Sequence, residues 1–237
     1  MADLTRRAVA EALGSALLLA TVVGSGVMAE RLAAGNVALA LLANTIATGA
    51  ALVALILTFG SISGAHFNPA VTLADATQGG VAWRDVPVYV AAQLIGAFAG
   101  VALAHLMFSE PLFSASQHVR GGPAQWLSEF IATFGLLATI WGVSRRRAAD
   151  APYAVGAYIT AAYWFTASTS FANPAVTLAR SASDTFAGIR PIDVAPFVAA
   201  QLSGALAATT VFRWLVPSLP LTAAHVVIEH ATNEETS

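Results

Sequence analysis

The chain reads as an all-α membrane protein of six transmembrane helices and two re-entrant half-helices, arranged as an inverted repeat. Three observations carry this reading. Hydrophobic residues make up 57 % of the 237 residues and charged residues 10 %, with a mean hydropathy of +0.70, which leaves too little polar surface for a soluble protein of this size. Six apolar stretches approach the roughly 20 residues that a helix needs to cross a bilayer. The string Asn-Pro-Ala-Val-Thr-Leu-Ala occurs twice, at Asn68–Ala74 and Asn173–Ala179.

The spans fall at Val9–Ala29, Val37–Phe59, Val86–Phe108, Gln125–Val143, Tyr153–Thr169 and Val194–Leu215, with polar or Gly/Pro-rich segments between them. Arg6 and Arg7 before an apolar run resemble a signal peptide, but Glu11 and Gly14 interrupt the run and no cleavage site follows, so this stretch is the first span. Each Asn-Pro pair opens a helix: the Asn side chain caps the first N–H groups, and Pro sits where no N–H is needed. These helices, Asn68 to about Gln78 and Asn173 to about Ser183, are too short to span and are expected to be half-helices. Beyond Pro220 the sequence turns polar and acidic, as a solvated tail over 221–237.

All eleven basic residues are arginine and cysteine is absent, which removes disulfides, thiolate nucleophiles and cysteine-based metal sites. The net charge of −2 gives no electrostatic footprint for nucleic acid. With both termini on one side, Arg6, Arg7, Arg84, Arg145, Arg146, Arg147 and Arg213 share a face, and Arg31, Arg120, Arg180 and Arg190 lie on the other. The excess of positive charge places both termini in the cytoplasm.

The repeat extends beyond the seven-residue strings. Val-Ala-Ala-Gln-Leu occurs at Val90–Leu94 and Val198–Leu202, and Glu11 near the start of span one is echoed by Glu129 in span four. Each half, over 6–110 and 122–216, holds a span with Glu, a second span, a half-helix and a third span with Gln. Three spans are an odd number, so the second half enters from the opposite face, an architecture with its site at the midplane. The half-helix N-termini then meet, stacking Asn68 and Asn173 beside a shared path. Each N-terminus carries roughly +0.5 elementary charge, which offers donors to a polar solute and repels cations and relayed protons.

On these residues the sequence resembles the aquaporin and aquaglyceroporin family, the major intrinsic proteins. Ser63-Gly64-Ala65-His66-Phe67-Asn68-Pro69-Ala70-Val71-Thr72 is similar to the family's first loop motif, and Asn173-Pro174-Ala175 completes the pair. The resemblance covers residues 6 to 216. It implies a homotetramer with one pore per subunit and no cofactor. It also implies that Glu11, Glu129 and His66 brace the loops and that Gln93 and Gln201 help to pack the repeat.

The sequence departs from the family pattern at one telling position. Most aquaporins have Arg directly after the second Asn-Pro-Ala, and that Arg forms a narrow, cation-repelling filter; here the residue is Val176. Gap-free counting places the other filter positions at Thr48 in span two, Ala161 in span five and Ser170 in the second loop; a one-residue shift in span five brings up Ala162, and Tyr163, Trp164 and Phe165 lie close by. Such a ring is expected to be wide and weakly polar, and to favour uncharged solutes larger than water. Arg180, four residues after Val176, lies on the same face one turn outward, roughly 5–6 Å, and is expected either in the outer vestibule or paired with the half-helix end or Asp184. The Val176 substitution resembles the bacterial aquaglyceroporin branch associated with arsenic resistance, implying an inner (plasma) membrane channel that passes arsenous acid, glycerol and water.

Two alternatives remain open from sequence. A water-selective aquaporin requires an aromatic side chain turned into the filter. An ion-coupled secondary transporter would use Glu11 and Glu129, since intramembrane carboxylates mark ion pathways as well as scaffolds. An enzyme is excluded, because no nucleophile, base and orienter set and no metal cluster can be assembled.

Overall fold

The computed structural model describes residues 3–144 and 147–216. The tail expected over 221–237, together with Arg145 and Arg146, lies outside the described residues. Eight α-helices follow in order: α1 Leu4–Leu32, α2 Val37–Ser63, α3 Pro69–Gln78, α4 Val86–Phe108, α5 Pro123–Val143, α6 Ala151–Phe165, α7 Pro174–Arg180 and α8 Pro191–Leu215, with a 3-10 turn at Ala148–Asp150. Among the described residues there is no strand.

The helix ends follow local chemistry. Asp3 caps α1 by accepting from Arg6 N at 2.8 Å, and Asn36 caps α2 by accepting from Leu39 N at 3.1 Å. Left-handed Gly64 (φ 87°) and Gly79 (φ 88°) end α2 and α3, the role glycine fills without a Cβ penalty. Pro123, Pro174 and Pro191 each stand at a helix start, where a missing N–H costs nothing.

Helices α1, α2, α4, α5 and α8 are long and apolar enough to cross a membrane. Helix α6 has 15 residues, about 22 Å, and stops at Phe165 rather than at the expected Thr169. The break comes at Thr166, whose backbone is extended (φ −109°, ψ 137°), and the following loop, with Thr169, Ser170 and Ala172 at positive φ of 61°, 51° and 49°, cannot resume a right-handed helix. Helix α7 likewise ends at Arg180, before the expected Ser183.

The two halves cross in the same way. A Cβ on Gly96 of α4 would lie 2.1 Å from the Ala12 carbonyl oxygen of α1, and a Cβ on Gly204 of α8 would lie 2.3 Å from the Phe130 carbonyl oxygen of α5. Only glycine lets these backbones approach so closely, as is common where helices pack without a hydrophobic driving force. Replacement by alanine forces backbone apart, so Gly204→Ala is expected to cost about 1–3 kcal/mol, read as a lower melting temperature in detergent. A melting temperature equal to that of the wild type would contradict this packing.

The core lies between the halves. Leu18, Val22, Phe67, Val71, Leu136, Ile140, Phe171 and Val176 belong to one buried cluster that surrounds the half-helix pair.

Candidate functional site

The site is assembled from the two loops that precede α3 and α7. They correspond residue for residue at an offset of 105. Ala65 and Phe67 (φ 49° and 48°) match Ser170 and Ala172 (φ 51° and 49°) in the left-handed region. Side chains disfavour this backbone by roughly 1–2 kcal/mol per residue, so strong partners must hold it.

Those partners are the two buried glutamates. Glu11 accepts from Ser63 Oγ (2.6 Å), His66 N (3.0 Å), Phe67 N (2.7 Å) and Gln93 Nε2 (2.8 Å). Glu129 accepts from Phe171 N (2.9 Å), Ala172 N (2.8 Å) and Gln201 Nε2 (2.6 Å). Each glutamine spends its amide twice: Gln93 also donates to Thr72 Oγ1 (2.9 Å), and Gln201 to Thr177 Oγ1 (2.8 Å). The threonine hydroxyls in turn donate to the Asn68 and Asn173 carbonyls at 3.1 and 2.8 Å. Sequence reading gave Thr72 and Thr177 no role; their identity at matched positions of the repeated string is the signal that could have found them.

The asparagines join the halves. Asn68 Oδ1 caps Ala70 N at 2.9 Å, and Asn173 Oδ1 caps Ala175 N at 2.9 Å and Val176 N at 3.2 Å. Asn68 Nδ2 donates to the Ala172 carbonyl and Asn173 Nδ2 to the Phe67 carbonyl, both at 2.7 Å. The reciprocal exchange fixes the two N-termini against each other. Each amide nitrogen keeps a second N–H, and both side chains line the adjoining cavity. Pro69, Ala70, Pro174 and Ala175 are buried behind them.

The cavity has a volume of about 70 Å³, room for several water molecules. Thr48, Ser170 and Val176 line it, as do His66 and Arg180. Glu11, Glu129, Gln93 and Gln201 do not appear in its wall; they lie behind the loops they hold. His66 is buried, with Nδ1 at 3.1 Å from Thr72 Oγ1 and Nε2 at 3.7 Å from Asp75 Oδ2.

Ala161 requires correction. It is exposed on the outer surface of α6, and Tyr163 stands in the wall instead, its hydroxyl 3.3 Å from Thr48 Oγ1. At about 100° per residue, a two-residue error in counting along α6 turns a side chain to the opposite face. The cavity wall therefore contains an aromatic residue. Ser170 Oγ is buried with no hydrogen-bond partner among the described residues.

Arg180 also lines the cavity. It is fully covered, donates through Nε to the Ala187 carbonyl, and its guanidinium carbon lies 3.4 Å from the Phe171 ring centroid. The expected alternative partner, Asp184, accepts from Gln117 N at 2.8 Å. Sequence reading missed Arg120, treated there only as an outward charge: it is buried, bonds the Gly188 carbonyl at 2.7 Å and the Ser168 carbonyl at 3.2 Å, and lies 5.0 Å from the same Phe171 ring. A loop arginine in a polar stretch carries no periodic signal that distinguishes it from a solvated one.

Comparison with known proteins agrees with this geometry. The family model described as major intrinsic protein matches residues 1–168. Aquaglyceroporin AqpS of Rhizobium meliloti (strain 1021) is 60 % identical over 220 residues, 92 % of this chain and 94 % of that protein. The glycerol uptake facilitator protein of Bacillus subtilis (strain 168) is 37 % identical over 116 residues, 43 % of this chain and 42 % of that protein. The X-ray structure of the aquaglyceroporin from Plasmodium falciparum superposes with a TM-score of 0.74 at 20 % identity, covering 92 % of this chain and 100 % of that one, a likeness of fold.

Proposed function

The chain belongs to the major intrinsic protein family, a family of channels rather than enzymes, and from that premise we propose that it is a passive pore for small uncharged polyols and their inorganic analogues: glycerol, arsenous acid and water. The observation that carries the proposal is the cavity itself. Its wall combines apolar faces, Val176 and the Tyr163 ring, with hydroxyls on Thr48 and Ser170 and the amides of Asn68 and Asn173. A triol presents one carbon or arsenic face and several hydroxyls, and so matches a wall of this mixed kind. Thr48, Tyr163, Ser170 and Val176 are the proposed filter, and 6–110 with 122–216 form the two repeats of one channel domain. AqpS is an aquaglyceroporin by name and the Bacillus relative a glycerol uptake facilitator, which supports the polyol class.

A water-selective pore is the second reading, and Tyr163 is the specific observation that favours it. Val176 weighs against it, since a short aliphatic side chain leaves space where a long one would close the ring. The ion-coupled reading is disfavoured by the glutamates, whose oxygens are engaged by backbone N–H groups and by Gln93 and Gln201 behind the loops. Exposed apolar side chains such as Leu13, Leu17, Ile46 and Leu57 suit lipid and a homotetramer interface, and the arginine distribution supports an inner-membrane setting with both termini cytoplasmic.

The test is arsenous acid entry into proteoliposomes with and without ionophores that collapse proton and sodium gradients. Unchanged entry is the expected result. Entry abolished by the ionophores would establish coupling and overturn the passive reading.

A further inference from the structure

The offset that relates the two loops also pairs His66 with Phe171 and Asp75 with Arg180. In the first half, His66 Nε2 lies 3.7 Å from Asp75 Oδ2. In the second, the Arg180 guanidinium carbon lies 3.4 Å from the Phe171 centroid. The fold thus uses the same position twice, the one charged residue of each half-helix set against the ring three residues before Pro, and gives it an acid in one half and a base in the other.

Arg180 is 2 % exposed and forms no ion pair with any carboxylate among the described residues. A buried charge without a counter-ion is costly, and at membrane depth such a residue marks a pathway by default. Its support here comes from the Ala187 carbonyl and the Phe171 face, while it borders the cavity that also touches Val176. Phe171 is itself fixed at its backbone by Glu129 at 2.9 Å and at its ring by Phe197, edge-on at 5.4 Å. The charge is therefore held in place on a rigid seat.

We propose that Arg180 is the cation barrier of this pore, set one helical turn outward of Val176 so that charge exclusion and steric exclusion are carried by two different residues. This rests on the passive-channel reading. A guanidinium at Val176 would combine both effects and narrow the ring; at Arg180 it sits over the Phe171 ring and imposes positive potential without filling the filter. Arg120, 5.0 Å from the same ring centroid, adds to that potential. His118 in the preceding loop registers it: partial burial and then the Arg120 and Arg180 cations hold its imidazole below the usual range, with Asp184 acting in the opposite sense.

The experiment uses the full chain in proteoliposomes and compares potassium with glycerol permeability for the wild type, Arg180→Gln and Arg180→Lys. Gln retains an N–H donor for the Ala187 carbonyl without the charge. The ratio of potassium to glycerol permeability is expected to rise by about tenfold or more in Arg180→Gln and to stay near the wild-type value in Arg180→Lys. An unchanged ratio in Arg180→Gln, or an equal rise in both variants, overturns the assignment. Absence of glycerol flux in the wild type would instead sink the channel reading. Should Arg180→Gln yield no folded protein, the residual conductance of the wild type in a potassium chloride gradient decides: reversal toward chloride is expected, and reversal toward potassium overturns the proposal.

Discussion

Replacing Val176 by arginine is expected to reduce glycerol and arsenous acid entry by about tenfold or more and to slow water much less. Val176 is 5 % exposed and lines a cavity of about 70 Å³, so the longer side chain has nowhere to go but across the lumen. It also meets Arg180 one turn away. Two like charges about 6 Å apart repel by about 3 kcal/mol at an effective dielectric of about 20, which pushes the new guanidinium further from the wall. Adding Arg180→Gln to Val176→Arg should therefore restore part of the stability lost in the single variant. Stopped-flow swelling in glycerol and in water gradients checks the first expectation, and thermal melting checks the second. Glycerol entry unaffected by Val176→Arg would remove Val176 from the constriction.

The second large effect concerns the scaffold. Glu129→Ala leaves the N–H groups of Phe171 and Ala172 and the amide of Gln201 buried without their acceptor, beside a loop whose Ser170 and Ala172 already sit at positive φ. Loss of a buried charged partner of this kind costs about 3–5 kcal/mol. Helix α5 should persist, while the second loop loses the register that presents Asn173 to the cavity. The expected result is a fall in melting temperature of roughly 6–20 °C with loss of solute flux. Ser63 Oγ and the matched Ser168 Oγ each accept from the backbone N two residues on, at 3.1 and 3.2 Å, but Ser63 also donates to Glu11 at 2.6 Å, a partner that Glu129 lacks among the described residues. A Glu129→Ala protein melting within about 2 °C of the wild type would contradict the bracing role.

Much of this arrangement was legible in the sequence because the repeat supplies its own control. A single buried glutamate or glutamine is ambiguous, but Glu11 with Glu129 and Gln93 with Gln201, each placed alike around an Asn-Pro-Ala string, point to one structural duty performed twice. Asn68 and Asn173 were readable as caps from the following proline alone. Their exchange of hydrogen bonds with the Ala172 and Phe67 carbonyls was not, because a long-range backbone partner leaves no local pattern.

The filter was less legible. Ser170 lies inside the loop beside its motif, whereas Thr48 and Ala161 are both counted back across a loop with three left-handed residues, Gly64, Ala65 and Phe67 in one half and Thr169, Ser170 and Ala172 in the other, which breaks helical bookkeeping. The count reaches the cavity wall at Thr48 and the outer surface at Ala161. The spacing of Arg180 from Val176 sets both on one face, and both line the cavity, yet the seat of Arg180 on Phe171 depends on a residue that the first half replaces with histidine.

The most direct measurement is stopped-flow swelling of proteoliposomes containing the wild-type protein, with glycerol as the permeant and control liposomes beside them. Rapid glycerol entry, independent of any ion gradient, is the result predicted by a mixed apolar and hydroxyl-lined pore at Thr48, Tyr163, Ser170 and Val176. Rapid water movement with glycerol entry no faster than in control liposomes would contradict it and assign Tyr163 the role of closing the pore to everything larger than water.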